Sequence, residues 1–258
     1  MINRMVTSAL FAGFAAGVLA ALLHFAFMQK MILLGEDYET GAAVHFAGVA
    51  NARPEAPAME GMAVGEVAAD GAAAPAATED QTVDPDAGRG EDASPLKRNA
   101  MTALFYTLLY CSYALVLVAG FALAQRWGKR VTALEGLLWG IAGFVAVQLA
   151  PAMGLAPELP GVMAAPLADR QVWWAGTVLC SAAALAMLGY GRSLGWLAAA
   201  IVLLALPHIV GAPELDGFSG LAPPELAAAC AARSLGLGLA AWSLMGWLSG
   251  WLWDRSPA

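Results

Sequence analysis

The groups best suited to chemistry gather around a repeated phrase. Residues 151–161 and 207–217 both read P-x5-P-E-L-x-G, at an offset of 56 residues. Each copy opens on a proline inside an apolar run, where the missing N–H and the crowding ring stop or kink a helix. Carbonyls released near Ala150 and Leu206 then need a new partner from water, a neighbouring helix or a cation. Glu158 and Glu214 occupy the same place in the two copies, His208 stands beside Pro207, and His24 lies near the far end of the first apolar run. Imidazole with carboxylates suits divalent cobalt, nickel or zinc. His208, Glu158, Glu214 and His24 are therefore the candidate metal ligands, with Asp216 and Glu225 able to reach the same vestibule. Pro151, Pro207 and Gln148 are the candidate helix-break and pathway residues. The same residues also read as two similar turns whose glutamates cap or face water, and as hydrogen-bonded packing histidines.

Other chemistry is thinner. Met28, Met153 and Met163 lie near the same face and would favour soft metals, although with eleven methionines in the chain accident or packing outweighs that reading. Cys111, Cys180 and Cys230 fall in separate apolar stretches without C-x-x-C spacing, so no disulfide framework is legible. Arg233 is a polar intruder in the last apolar stretch, with Glu225 or Asp169 as candidate partners. No Walker sequence, H-E-x-x-H or G-x-S-x-G occurs, and no carboxylate falls mid-span. The expectation is a protein that is not an enzyme and needs no cofactor.

The elements that must position these groups are membrane helices. Of 258 residues, 60% are hydrophobic and 13% charged, against roughly 45–50% and about 25% in soluble domains. Apolar runs long enough to cross a bilayer fall at 6–28, 101–124, 134–149, 172–190, 194–210 and 226–253. The predicted fold is an all-α integral membrane bundle of six crossings, or five, divided into a first helix at 1–30, an acidic low-complexity outer loop at 31–99 and a five-helix region at 100–258. The repeated phrase makes 134–190 and 194–253 two parallel helical hairpins, a common transporter device. Thirteen of the 20 Asp and Glu lie between residues 30 and 99, a composition that predicts a solvated, disordered loop.

Arg4, Arg126, Lys129, Arg130, Arg192 and Arg255 all fall on one side of a six-span arrangement. The positive-inside rule then places both termini in the cytoplasm. Trp127, Trp196, Trp251 and Trp253 mark that surface, and Trp173 and Trp174 the other, as interfacial anchors. G-x-x-x-G pairs at Gly13/Gly17, Gly136/Gly140 and Gly246/Gly250 predict close helix packing. The bilayer is thus the first partner, a homo-oligomer stays open, and the absence of a basic stripe argues against nucleic acid.

Several of these segments together resemble one family. The first helix runs into Glu36-Asp37-Tyr38-Glu39, followed by L-L-W-G-I-A-G-F at 137–144, A-P-A-M-G-L-A-P-E-L-P-G at 150–161, L-A-D-R-Q-V-W-W at 167–174 and L-P-H-I-V-G-A-P-E at 206–214. Over nearly its whole length the chain resembles the CbtA family of predicted cobalt transporter subunits. The resemblance implies five or six spans, a prokaryotic inner-membrane location, cobalt as the transported ion, a link to cobalamin biosynthesis and a small CbtB-type partner subunit with a His-rich tail. Relatives often carry a histidine-rich outer loop, whereas this loop holds only His45. Either carboxylates gather metal in its place, more weakly, or the loop gathers none. The alternative function is a membrane scaffold that presents the partner without transporting; an intramembrane enzyme is a third.

Overall fold

A computed structural model of the chain describes residues 2–44, 94–215 and 220–255. Among them lie six helices: α1 (Ile2–Glu39), α2 (Pro95–Arg126), α3 (Ala133–Ala152), α4 (Leu167–Tyr190), α5 (Leu194–Val210) and α6 (Pro224–Arg255). Five are long and apolar enough to cross a membrane, and α5, with 17 residues, is the short one. At about 1.5 Å per residue α5 spans roughly 25 Å, slightly less than a hydrocarbon core of about 30 Å. Most of the acidic loop, including His45, and Asp216 of the second P-E-L turn lie outside the described residues.

Both chain ends meet at one end of the bundle, here the terminal end. The Arg4 guanidinium stacks over the Trp253 ring at 4.0 Å and donates to the Trp253 carbonyl. Arg130, between α2 and α3, pairs with Asp254 at 3.3 Å, and Lys129 sits over Tyr190 at the close of α4. The basic residues read from the sequence therefore do share one end. With helix ends level there, the surplus length of α1, α2 and α6 projects at the distal end. A 38-residue α1 is about 57 Å long, nearly twice the hydrocarbon thickness. It runs past residue 30, where the first span was expected to stop, to Glu39. Lys30 marks the polar boundary, yet Met28 and Met31 still bury themselves against Leu159, Ala222 and Cys230.

Close backbone approach holds the core. A Cβ on Gly13 would lie 2.5 Å from Cys111 Cα, and one on Gly140 would lie 2.9 Å from Gly246 Cα. The G-x-x-x-G pairs thus bring α1 onto α2 and α3 onto α6 within one chain, as packing. Between these seams the buried rings of Tyr110, Phe121, Trp242 and Trp253 fill the half toward the terminal end. Thr132 and Glu135 form a capping box that starts α3.

The remaining pairing crosses the two repeats. Among the helices α5 packs on α4, and α3 packs chiefly on α6. Each return helix therefore lies against the other copy's outgoing helix. At the distal end the two repeat loops touch directly: Val162 and Gly220 form an antiparallel bridge, and Leu221 N donates to Gly161 O at 2.8 Å. Gly211 ends α5 with a φ of 85°, a left-handed turn that glycine enters without steric cost.

Candidate functional site

The first turns of α4 hold both repeat loops. Arg170 Nη2 meets Glu158 Oε2 at 2.7 Å, which ties down the first P-E-L turn. One helical turn later, Trp173 donates its indole N–H to the Pro207 carbonyl at 3.1 Å, and its ring meets His208 edge-on at 5.9 Å. Trp174 donates to the Val147 carbonyl at 3.2 Å. Neighbouring helix positions point about 100° apart, so one W-W pair serves two different helices.

One of these bonds answers the question a proline raises. Pro151 has no N–H to offer the carbonyl four residues earlier, which is Val147, and Trp174 supplies it. In α5 the case differs: the Pro207 carbonyl, which already accepts from Gly211 N, also accepts from Trp173, whereas the carbonyl that Pro207 leaves without its backbone donor is that of Leu203. Carbonyls near Ala150 and Leu206 were expected to need partners; the residues served are Val147 and Pro207. Trp173 and Trp174, expected as interfacial anchors, also spend their N–H groups inside the protein.

The candidate ligands divide between places. Glu158 is already satisfied by a charge-assisted bond to Arg170. His208 is half-buried against Trp173, while Glu214 and Glu225 are exposed. Met28 is buried, and Met153 and Met163 are exposed. Arg233 reaches neither Glu225 nor Asp169 in the bonds it forms. It donates to the Phe27 carbonyl at 3.2 Å and to Met31 Sδ at 3.0 Å. Phe27 belongs to a π-turn (His24–Met28), where the wider register disturbs the helical ladder and an outside donor steadies it. Among the described residues no group of three or more His, Cys, Asp and Glu is close enough to hold a metal ion.

Two cavities lie beneath this arrangement. The first, about 330 Å³, is bounded by Pro151, Glu158, Arg170, Gln171 and Trp174, and reaches Gln148 and Ser234. The second, about 550 Å³, is lined by the same Gln148 and Ser234 together with His24, Thr102, Tyr106 and Tyr110. Gln148 sits in a second π-turn (Val145–Leu149). The structure therefore brings Pro151, Glu158 and Gln148 to one cavity and His24 and Gln148 to the other. Pro207 and His208 stay at Trp173, and Glu214 joins none of them. Arg170, Tyr106 and Ser234 were not among the candidates. Only Arg170 carried a legible signal, as a cation in a loop otherwise poor in them.

Compared with known families, residues 2–254 match the family model described as "Probable cobalt transporter subunit (CbtA)". No curated protein and no solved structure matches the chain at a significant level.

Proposed function

The chain belongs to the CbtA family, and from that premise we propose that it is the membrane subunit through which a divalent cobalt ion is taken up for cobalamin synthesis. The ion enters at the distal end beside the first P-E-L turn, with Glu158 as its first ligand, while His208 and Glu214 offer separate contacts at the same end. The observation that carries this reading is that the two cavities share Gln148 and Ser234 in their walls. One reaches the Glu158–Arg170 pair at the loops, and the other reaches His24 within the bundle. Arg170 acts as a resident cation on Glu158 that an arriving ion displaces. Basic residues at the terminal end favour a cytoplasmic location for both termini, in a prokaryotic inner membrane. A small CbtB-type subunit with a His-rich tail is the proposed partner.

One observation favours the scaffold reading: the described residues bring no three strong ligands together. Cobalt uptake by cells expressing the chain alone, the small subunit alone and both separates the two. Uptake that requires this chain and saturates with cobalt supports the transport reading. Uptake equal with the small subunit alone would sink it in favour of the scaffold.

A further inference from the structure

The smaller cavity joins an apolar wall to a charged rim. Val147, Leu155, Leu167, Trp174 and Leu235 make up most of the wall, and among the described residues the only charged groups in the lining are Glu158 and Arg170. Arg170 lies about 30 Å along α4 from Tyr190, and Leu235 about 27 Å along α6 from Trp253, against a hydrocarbon core about 30 Å thick. The ion pair therefore sits at the distal edge of the hydrocarbon, where lipid head groups begin, with the apolar wall just inside it. Both charged side chains are partly exposed, 25% for Arg170 and 35% for Glu158, so a ligand can reach them.

The rim has two complementary halves. Pro166 stands at the N-cap of α4 and offers no side-chain acceptor, so the first N–H groups of that helix have no cap to serve. Such a helix start, with the Arg170 guanidinium and the exposed Gln171 amide in its opening turns, favours a phosphate. Glu158, at 2.7 Å from Arg170, would repel a simple anion, just as Arg170 would repel a simple cation. A ligand that carries both charges meets neither objection. A primary ammonium also gives Glu158 N–H donors, which a quaternary ammonium lacks. Asp169, next to Arg170, is exposed and stands outside the lining. At about 330 Å³ the cavity is near the small end of ligand pockets, which run from about 300 to 1,000 Å³. It holds a head group and the first methylenes of a chain. A water-soluble zwitterion would leave the apolar wall uncovered, and a lipid covers it.

We infer that the smaller cavity binds the head group of a zwitterionic phospholipid with a primary ammonium. Arg170, Gln171 and the start of α4 take the phosphate, Glu158 takes the ammonium, and the upper ends of the acyl chains lie on Leu155, Leu167 and Leu235. The inference goes beyond the uptake reading and does not depend on it. An ion approaching Glu158 would meet the lipid ammonium as well as Arg170, so the lipid present would set how readily that carboxylate is reached.

Full-length protein is purified in detergent, stripped of lipid and titrated, without cobalt, with phosphatidylethanolamine, phosphatidylcholine or phosphatidylglycerol. Native mass spectrometry counts the bound molecules. Phosphatidylethanolamine should bind about fivefold more tightly than either of the others. Glu158→Gln should cut its advantage over phosphatidylcholine to less than about twofold, and Arg170→Gln should weaken all three lipids by about fivefold. Soluble glycerophosphoethanolamine, which has the same head group and no chains, should fail to displace the lipid even at roughly a hundredfold excess. Should a variant fail to fold, as judged by its elution profile, the ranking of the three lipids and the soluble competitor on the wild-type protein decide. Equal binding of the three lipids overturns the inference, as does equal weakening of all three by Glu158→Gln or unchanged binding in Arg170→Gln. Displacement by the soluble competitor also overturns it and assigns the cavity to a free small molecule. No cobalt is present, so none of these outcomes bears on the uptake reading.

Discussion

Trp174 gives its indole N–H to the carbonyl of Val147 at 3.2 Å, replacing the backbone donor that Pro151 lacks. The pair links α4 to α3 at the edge of the smaller cavity, which both residues line. Proline at 151 and tryptophan at 174 are thus two halves of one device. The proline opens the helix ladder, and the indole closes it from outside.

Trp174→Phe keeps an aromatic ring but removes the donor, and should lower stability by about 1 kcal/mol. In a Pro151→Ala background the backbone N–H returns, so the same substitution should cost markedly less. Thermal unfolding of the four proteins in detergent gives the coupling. Equal penalties in both backgrounds would show that the indole bond does not stand in for the proline.

Glu158 and Arg170 meet at 2.7 Å with both side chains partly exposed. If Arg170 competes with an entering ion, Arg170→Gln should lower the cobalt concentration needed for half-maximal uptake and Glu158→Gln should raise it. For a partly solvated pair worth up to about 1 kcal/mol, each shift should be about two- to fivefold. Uptake must be normalised to inserted protein. Shifts in the same direction for both variants would mean that the pair only holds the loop in place.

His208 meets the edge of Trp173 and adjoins the helix-breaking Pro207. His208→Ala should raise the half-saturating cobalt concentration several-fold while protein abundance stays near normal, because an imidazole ligand has no replacement in alanine. A fall in abundance with unchanged half-saturation per molecule would assign His208 to packing against Trp173.

A Cβ on Gly246 would come 2.6 Å from Gly140 Cα, too close for either backbone to stay in place. Gly246→Ala should therefore cost about 1–3 kcal/mol through overpacking, and Gly246→Leu should prevent stable insertion. Detergent unfolding midpoints and membrane abundance test this. A neutral alanine would mean that α3 and α6 can separate without loss.

Reporter fusions give the orientation. A reporter active only outside the cytoplasm should be silent after Lys129, at the terminal end over Tyr190, and active after Leu155 in the first repeat loop. The reverse pattern would turn the bundle over and place both chain ends outside.

Much of this architecture was determined by the sequence alone. Apolar runs of bilayer length, basic residues clustered at alternate connections, glycines at i and i+4 and prolines at helix ends each act through local chemistry, and the described residues follow them. The tertiary structure decided the rest. Nothing in composition says that Trp173 and Trp174 bond to carbonyls of Pro207 and Val147 in different hairpins, because those bonds join residues 34 and 27 apart in the chain. The pairing of α3 with α6 and of α4 with α5 could not be read from a repeat that marks each hairpin alike. A π-turn is a shift of one residue in hydrogen-bond register and leaves no trace in hydropathy. Yet those shifts accompany the placing of His24 and Gln148 on one cavity. Glu158 read as a free ligand until the fold brought Arg170 to 2.7 Å. Spans follow from the free energy of placing side chains in lipid, which each segment carries by itself. The site follows from which spans touch, which only the packed bundle decides.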